Sequence, residues 1–405
     1  MKSHVFCEII ALLMSTVTSM IKKYAGIFRL PLWAGLLALP LAGPANAFRI
    51  AAVAAFAVVL WNIVRAEPVA NISEALSRKF SRLSTALSSL TWFLQSRTGV
   101  IAVVLIAFAL PLFLNDYYRD ILTLTCMYIV LALGLNIVVG QAGLLNLGYV
   151  AFYAIGAYTY AILSTVYGLS FWPGLVAGAM SAALFALLLG IPTLRLRGDY
   201  FAIVTLGLGE ITRIVLNNWD SMTGGPNGIP KIGRPALGAY AFSTTLDFYY
   251  LALLMVVMTV FAMHRLMASR IGRAWLAIRE DETAAEAMGI NTFRLKLLAF
   301  VLGSFWAGLA GVFFAAKMAF VSPESFTFFE SVLILCMVVL GGMGSIPGII
   351  LGAFLLITLP EVFRDFQDYR MLAFGAALVL MMVFKPQGLL GAVKAGSKAA
   401  HCIER

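Results

Sequence analysis

The chain has 405 residues, of which 61% are hydrophobic and 12% charged, with a formal charge of +10 and a mean hydropathy of +0.93. A soluble domain is about a quarter charged, and too few polar residues remain here to coat a globular core of this size, so a soluble fold is excluded. The apolar stretches are continuous rather than alternating, which excludes a membrane β-barrel.

Apolar runs recur at 26–45, 48–64, 98–114, 121–139, 144–166, 172–191, 200–217, 248–263, 297–316, 331–340, 348–360 and 371–384. Most approach the roughly 17–25 residues that cross a bilayer as helix. The expected fold is therefore all-α, a polytopic transmembrane helical bundle. The first two runs form an N-terminal membrane extension, 1–64, with 9–21 as an interfacial stretch. Ala45-Asn46-Ala47 has the small-x-small pattern of a signal-peptidase site, yet another apolar run follows at once, so an uncleaved hairpin is expected. Residues 65–97, with serines spaced among Arg78, Lys79 and Arg82, read as a cytoplasmic amphipathic linker; the bundle follows at 98–390 and a tail at 391–405. The short runs 331–340 and 348–360 flank Gly341-Gly342-Met343-Gly344-Ser345-Ile346-Pro347, which predicts a broken or re-entrant segment shielded by protein.

Threaded alternately, residues 65–97, 192–199, 264–296 and 385–405 carry 17 Lys and Arg, against 5 in the opposite loops. Positive charge concentrates in loops that are not translocated, so the first set is assigned to the cytoplasm and 218–246 to the far side. The positive balance reads as topology and contact with anionic membrane lipid, not as a nucleic-acid footprint. Cys7, Cys126, Cys336 and Cys402 form no CxxC, and His4, His264 and His401 are scattered. Neither a metal site, a cofactor site nor a catalytic cluster is predicted.

Three constellations stand out. Glycines cluster at Gly134, Gly140, Gly143, Gly148 and Gly156 and again at Gly303, Gly308 and Gly311, where small residues permit close helix packing. Two breaks, Gly140-Gln141-Ala142-Gly143 and Gly341-Gly342-Met343-Gly344, each follow an apolar span and lie 201 residues apart. They are candidate path, gating or structural-break positions, and corresponding places in two related halves are one reading of them. Glu210 and Arg213 share one helical face inside 200–217. Because an ion facing lipid is costly, the pair is expected to compensate itself or to line a solute path. The spans otherwise hold almost no carboxylates, Glu330 and Glu361 falling at segment ends, which argues against an ion-coupled carrier.

Residues 273–290 in the loop 264–296 read as a short helix ending at Gly289. Ala274, Ala277, Ile278 and Ala285 can form a less polar side against a partner, while Arg279 and Glu282 remain polar, so a solvated surface helix and a docking helix for a cytosolic partner are both open readings. The chain contains no GxxxxGK[ST] phosphate loop, so any energy from nucleotide comes from elsewhere.

Taken in order, these strings resemble the permease subunits of ATP-binding-cassette importers for branched-chain amino acids, the LivHM-type permease family. The resemblance rests on Gly140-Gln141-Ala142-Gly143, Leu194–Gly207, Thr223-Gly224-Gly225-Pro226-Asn227-Gly228-Ile229, Gly272-Arg273-Ala274-Trp275, Val321–Phe326, Val339–Ser345 and Lys385–Leu390, and spans about 115–391. It implies a non-enzymatic pore subunit of the inner membrane, paired with a sister permease, driven by two cytosolic ATPase subunits that use ATP and magnesium, and fed by a periplasmic amino-acid-binding protein. It also implies that Arg273, Arg279, Glu282, Ala285, Glu286, Ala287 and Gly289 form the region coupled to the ATPase. Urea and short-amide permeases share the central strings, and together with an ion-coupled secondary carrier they remain open as alternatives at this point.

Overall fold

The computed structural model describes residues 105–194, 198–237, 240–362, Gly375 and Gly388. The chain divides into two compact units, Met1–Ser84 and Thr85–Arg405; the first, with the expected N-terminal extension, lies outside the described residues, as do 65–97, nearly all of 371–384 and the tail.

Helix α1 (Asp116–Asn136) runs into a π-helical turn at Ile137–Gln141. There follow α2 (Tyr149–Tyr167), α3 (Phe171–Thr193), α4 (Asp199–Asn218) and α5 (Thr245–Ala268). Two short helices, α6 (Arg270–Glu280) and α7 (Glu282–Ala287), precede the long α8 (Thr292–Met318). Helices α9 (Phe328–Gly341) and α10 (Ile346–Val362) close the described part. Seven segments among the described residues are long and apolar enough to cross a membrane. The chain is a multi-pass membrane protein, a polytopic helical bundle.

Local chemistry sets the boundaries. At α5, Thr244 and Asp247 form a reciprocal capping box, satisfying two backbone donors that the first turn leaves orphaned. Helix α2 starts later than the hydropathy suggests, because the Asn146 Oδ1 accepts the Gly148 N–H at 3.0 Å and holds the chain in a side-chain-closed turn instead of helix. At the junction of α9 and α10, Gly342 and Gly344 adopt φ of 102° and 89°, a region closed to most L-residues. The predicted broken segment is thus two helices and a sharp turn.

Helix α8 is the spine. A Cβ on Gly156 of α2 would stand 2.4 Å from the Gly308 carbonyl oxygen, and one on Gly308 would stand 2.7 Å from the Gly178 carbonyl of α3. Backbones this close bring three helices into direct contact, which only small residues permit. Enclosure is uneven: 78% of an 18-residue apolar stretch of α1 and its π turn is buried within the chain, but only 22% of the corresponding stretch of α4.

The two ends of the bundle are distinct. At one, which we call the strand end, β1 (Ile229–Pro230) pairs antiparallel with β4 (Phe320–Val321). Near it, β2 (Ala236–Leu237) pairs with β3 (Tyr240–Ala241), and Trp172 Nε1 donates to the Ala236 carbonyl at 3.0 Å. The loops 218–246 and 318–330 therefore share a side, as alternate threading requires. The inner ends of α1 and α9 and the elbow α6–α7 meet at the other, the junction end.

Candidate functional site

The junction end brings together both glycine breaks and the loop 264–296. Asn136, the last residue of α1 and fully buried, accepts the Gly344 N–H on its Oδ1 at 2.9 Å. This fastens the α9–α10 turn to the point where α1 becomes a π turn. Gly140 leaves no room for a side chain, since a Cβ there would lie 1.9 Å from that same Oδ1. Gln141 is buried, and its amide nitrogen lies 3.5 Å from where a Gly344 Cβ would be. Gly341 packs on the backbone of Gly348 in α10, and Gly388, from the Lys385–Leu390 string, packs on Gly342. The two breaks expected to be related are therefore neighbours in space.

From α6, the Arg279 guanidinium donates to the Gly140 carbonyl at 2.5 Å, and its Cγ lies 3.2 Å from where a Gly143 Cβ would be. A turn earlier, Trp275 is wholly buried and donates from Nε1 to the Leu295 carbonyl at 2.7 Å. Helix α6 is thus attached to the first turn of α8 and to the end of α1.

The elbow differs from the single helix predicted over 273–290. Asp281 sits at φ −155°, ψ 112°, and its carboxylate accepts the N–H groups of Thr283 and Ala284. An Asp that caps the next helix interrupts the previous one, and the acidic run Glu280-Asp281-Glu282 concealed this. The Thr283 hydroxyl, then the Ala284 N–H, holds the Asp281 carboxyl below the usual carboxylate range, by favouring its ionised form. A second correction concerns the less polar side. Ile278 and Ala285 are each 4% exposed because they pack into this chain's own core, so they are not free to face a partner. Glu282 pairs with Lys296 at 2.6 Å, and the Glu286 carboxylate accepts from the Thr292 hydroxyl at 2.6 Å. Arg273, Ala287 and Gly289 remain exposed; Gly289 has φ of 82° and open space around it.

On α4, Glu210 and Arg213 form the expected pair, with Nε and Oε2 3.0 Å apart. Their side chains are 34% and 35% exposed, so the pair lies on an edge of the helix. Phe201, Thr205, Thr212 and Leu216 bury one face against this chain, whereas Ile203, Ile211, Ile214 and Val215 leave an apolar face uncovered. The ion pair sits between the two.

Three polar contacts of this architecture escaped the sequence reading. Asn136 was hidden inside an apolar run, although a lone amide within a span is itself a signal. Thr205 Oγ1 accepts the Leu147 N–H at 3.2 Å, tying α4 to the loop before α2. Glu330 lies at a segment end as expected, in the first turn of α9, and accepts from the Tyr128 hydroxyl of α1 at 2.8 Å; a Tyr and a Glu 202 residues apart carry no local pattern that would pair them.

Residues 117–384 match the family described as branched-chain amino acid transport system / permease component. The chain is 49% identical over 319 residues to the high-affinity branched-chain amino acid transport system permease protein LivM of Escherichia coli K12, covering 73% of this chain and 75% of the relative. It is 48% identical to LivM of Salmonella typhimurium, with the same coverage. LivH of Escherichia coli K12 is 28% identical over 302 residues, 69% of this chain and 96% of that protein. No solved structure matches. With its own motifs, its helical bundle and two thirds of its length in agreement, the chain belongs to the branched-chain amino acid transport system permease family.

Proposed function

We propose that this chain is a permease subunit of an ATP-binding-cassette importer that passes leucine, isoleucine and valine from periplasm to cytoplasm across the inner membrane. The observation that carries this reading is the 49% identity to LivM over three quarters of that protein's length. The similarity to LivH as well supports a sister permease of related architecture as partner. Two cytosolic ATPases using ATP and magnesium and a periplasmic binding protein complete the assembly, and this subunit performs no covalent chemistry.

The geometry supports a division of labour. Positive-charge asymmetry puts the junction end in the cytoplasm, where the elbow α6–α7 is the face offered to an ATPase. The strand end, closed by β1 and β4, then receives the loaded binding protein. The open α4, with an ion pair that lipid would penalise, is the side turned to the sister permease and the solute path. A branched-chain amino acid carries a zwitterionic head and an apolar tail, so a path of carbonyls, hydroxyls and apolar walls suits it. Movement at the elbow, driven by nucleotide, would rearrange the helices in alternating access.

The test is uptake of radiolabelled leucine in a bacterial strain without its own importers, expressing this chain together with sister permease, ATPase and binding-protein subunits of the same family. ATP-dependent leucine uptake that vanishes when this chain is omitted is expected. Uptake of urea or acetamide in place of leucine, or uptake by this chain alone under an ion gradient, would overturn the reading. In the same cells a cysteine at Asn227 should label from outside and one at Glu282 should not; the reverse would invert the topology.

A further inference from the structure

We infer that Arg279 is the positioning residue through which the elbow α6–α7 holds the inner ends of α1 and α9 together. This inference rests on the proposed reading of the elbow as the face that meets an ATPase.

A helix end leaves its last carbonyls without intrahelical partners. Here the π turn uses the Ile137 and Val138 carbonyls for Ala142 and Leu144, at 3.1 and 3.0 Å. The Gly140 carbonyl is taken instead by Arg279, 139 residues away, at 2.5 Å. The same guanidinium lies against the Gly344 turn, 3.5 Å from where a Cβ would be, and that turn is itself tied to α1 through Asn136. One cationic side chain therefore bonds the first break and lies beside the second. Gly143, at φ of 72°, carries no side chain to obstruct the arginine stem.

The two attachments of α6 are unequal. Trp275 is wholly buried and bonded to the first turn of α8, so it fixes the helix as a lever arm. Arg279 is only half-buried; its charge-assisted bond can open to water without unpacking a core. Non-helical, side-chain-capped residues flank the lever at Ser269 and Asp281. A shift of α6 would consequently withdraw the guanidinium from Gly140 and leave the π turn and the Gly342–Gly344 turn free to part. Lysine could reproduce the charge and one donor, but not the fixed planar geometry of the guanidinium whose Nη1 meets the Gly140 carbonyl.

The experiment uses the full chain co-purified with its co-expressed partners in lipid nanodiscs, comparing wild type, Arg279→Ala and Arg279→Lys. In Arg279→Ala, hydrogen exchange over 137–144 and 341–347 should rise about tenfold, the scale of losing one hydrogen bond to a charged group. Exchange in 150–160 and 300–312 should stay unchanged. In proteoliposomes, labelled leucine moved per ATP hydrolysed should fall about tenfold, the scale of one lost charge-assisted bond, and Arg279→Lys should recover a large part of both losses. Should Arg279→Ala not accumulate, Arg279→Gln takes its place under the same criteria. Unchanged exchange at the two turns, exchange raised equally throughout the bundle, or hydrolysis and transport falling in proportion would each overturn the inference. A wild-type complex that fails to move leucine yet shows the exchange contrast would contradict the proposed substrate and leave this assignment standing.

Discussion

The Arg213 guanidinium meets the Glu210 carboxylate at 3.0 Å on the edge of α4, a helix that this chain covers only sparsely. In water, a pair about one-third exposed would contribute under about 1 kcal/mol. Facing lipid or a subunit interface, a lone charge costs up to about 3 kcal/mol at a helix centre. Arg213→Gln alone should therefore impair assembly or transport more than Glu210→Gln/Arg213→Gln together. A double-mutant cycle on assembled complex should return a coupling above about 1 kcal/mol; simple additivity would show that the two act separately.

The glycine contact between α2 and α8 predicts a steep stability penalty. A valine at Gly156 would drive its Cβ into the Gly308 carbonyl, and backbone cannot yield as a side chain can. Gly156→Val should cost at least the ~1–3 kcal/mol of an overpacked core, read as a lower temperature of aggregation in detergent. Gly207, with nothing within 4 Å and ordinary φ, supplies the control: Gly207→Ala should leave that temperature unchanged or raise it, because alanine favours helix.

The elbow should respond to acid in one direction only. The Asp281 carboxyl is held below its ordinary value of 3.8 by the Thr283 hydroxyl and then by the Ala284 N–H. A depressed folded-state value means that the cap is fully effective above the ordinary value and is lost as pH falls through the depressed one. Exchange of the α7 amides, corrected for the intrinsic pH effect, should be flat from about pH 5 to 8 and should rise below about pH 4. Asp281→Asn, which retains a capping oxygen, should abolish that rise; Asp281→Ala should speed exchange at every pH. A rise confined to neutral pH would place the responsible group elsewhere.

The extent to which the site was legible follows from the range of the interactions that make it. Spans α1 to α5 could be read because hydropathy is written locally, and the break at Gly341–Gly344 because two positive-φ positions demand glycine. The ion pair on α4 was legible for the same reason: residues three apart on a helix face one another. By contrast, the Gly140–Arg279 and Asn136–Gly344 bonds join residues 139 and 208 positions apart. Nothing in one segment announces the other. The inward turn of Ala285 was misjudged because an alanine-rich helix carries little amphipathic contrast, so periodicity alone left its buried face undetermined.

That inward turn changes which residues should contact an ATPase. Ala285 is 4% exposed, whereas Met288, at the end of α7, is 83% exposed beside Ala287 and Gly289. A large apolar side chain held out from a polar elbow suits the role of an interface anchor in the proposed assembly, and methionine adapts to an irregular pocket. Gly289 turns the chain at φ of 82°, which fixes where Met288 points. Met288→Ala should therefore reduce the ATPase retained on the purified permease by about tenfold, within the range for truncating an interface anchor. Gly289→Val should do the same by straining the turn, while both variants still insert in the membrane. Ala285→Leu should act differently, loosening α7 itself by overpacking, visible as faster α7 exchange even in permease stripped of ATPase. The decisive measurement is ATPase co-purification alongside that exchange. If Ala285→Leu strips the ATPase with α7 exchange unaltered, while Met288→Ala retains it in full, the docking face lies on the opposite side of the elbow.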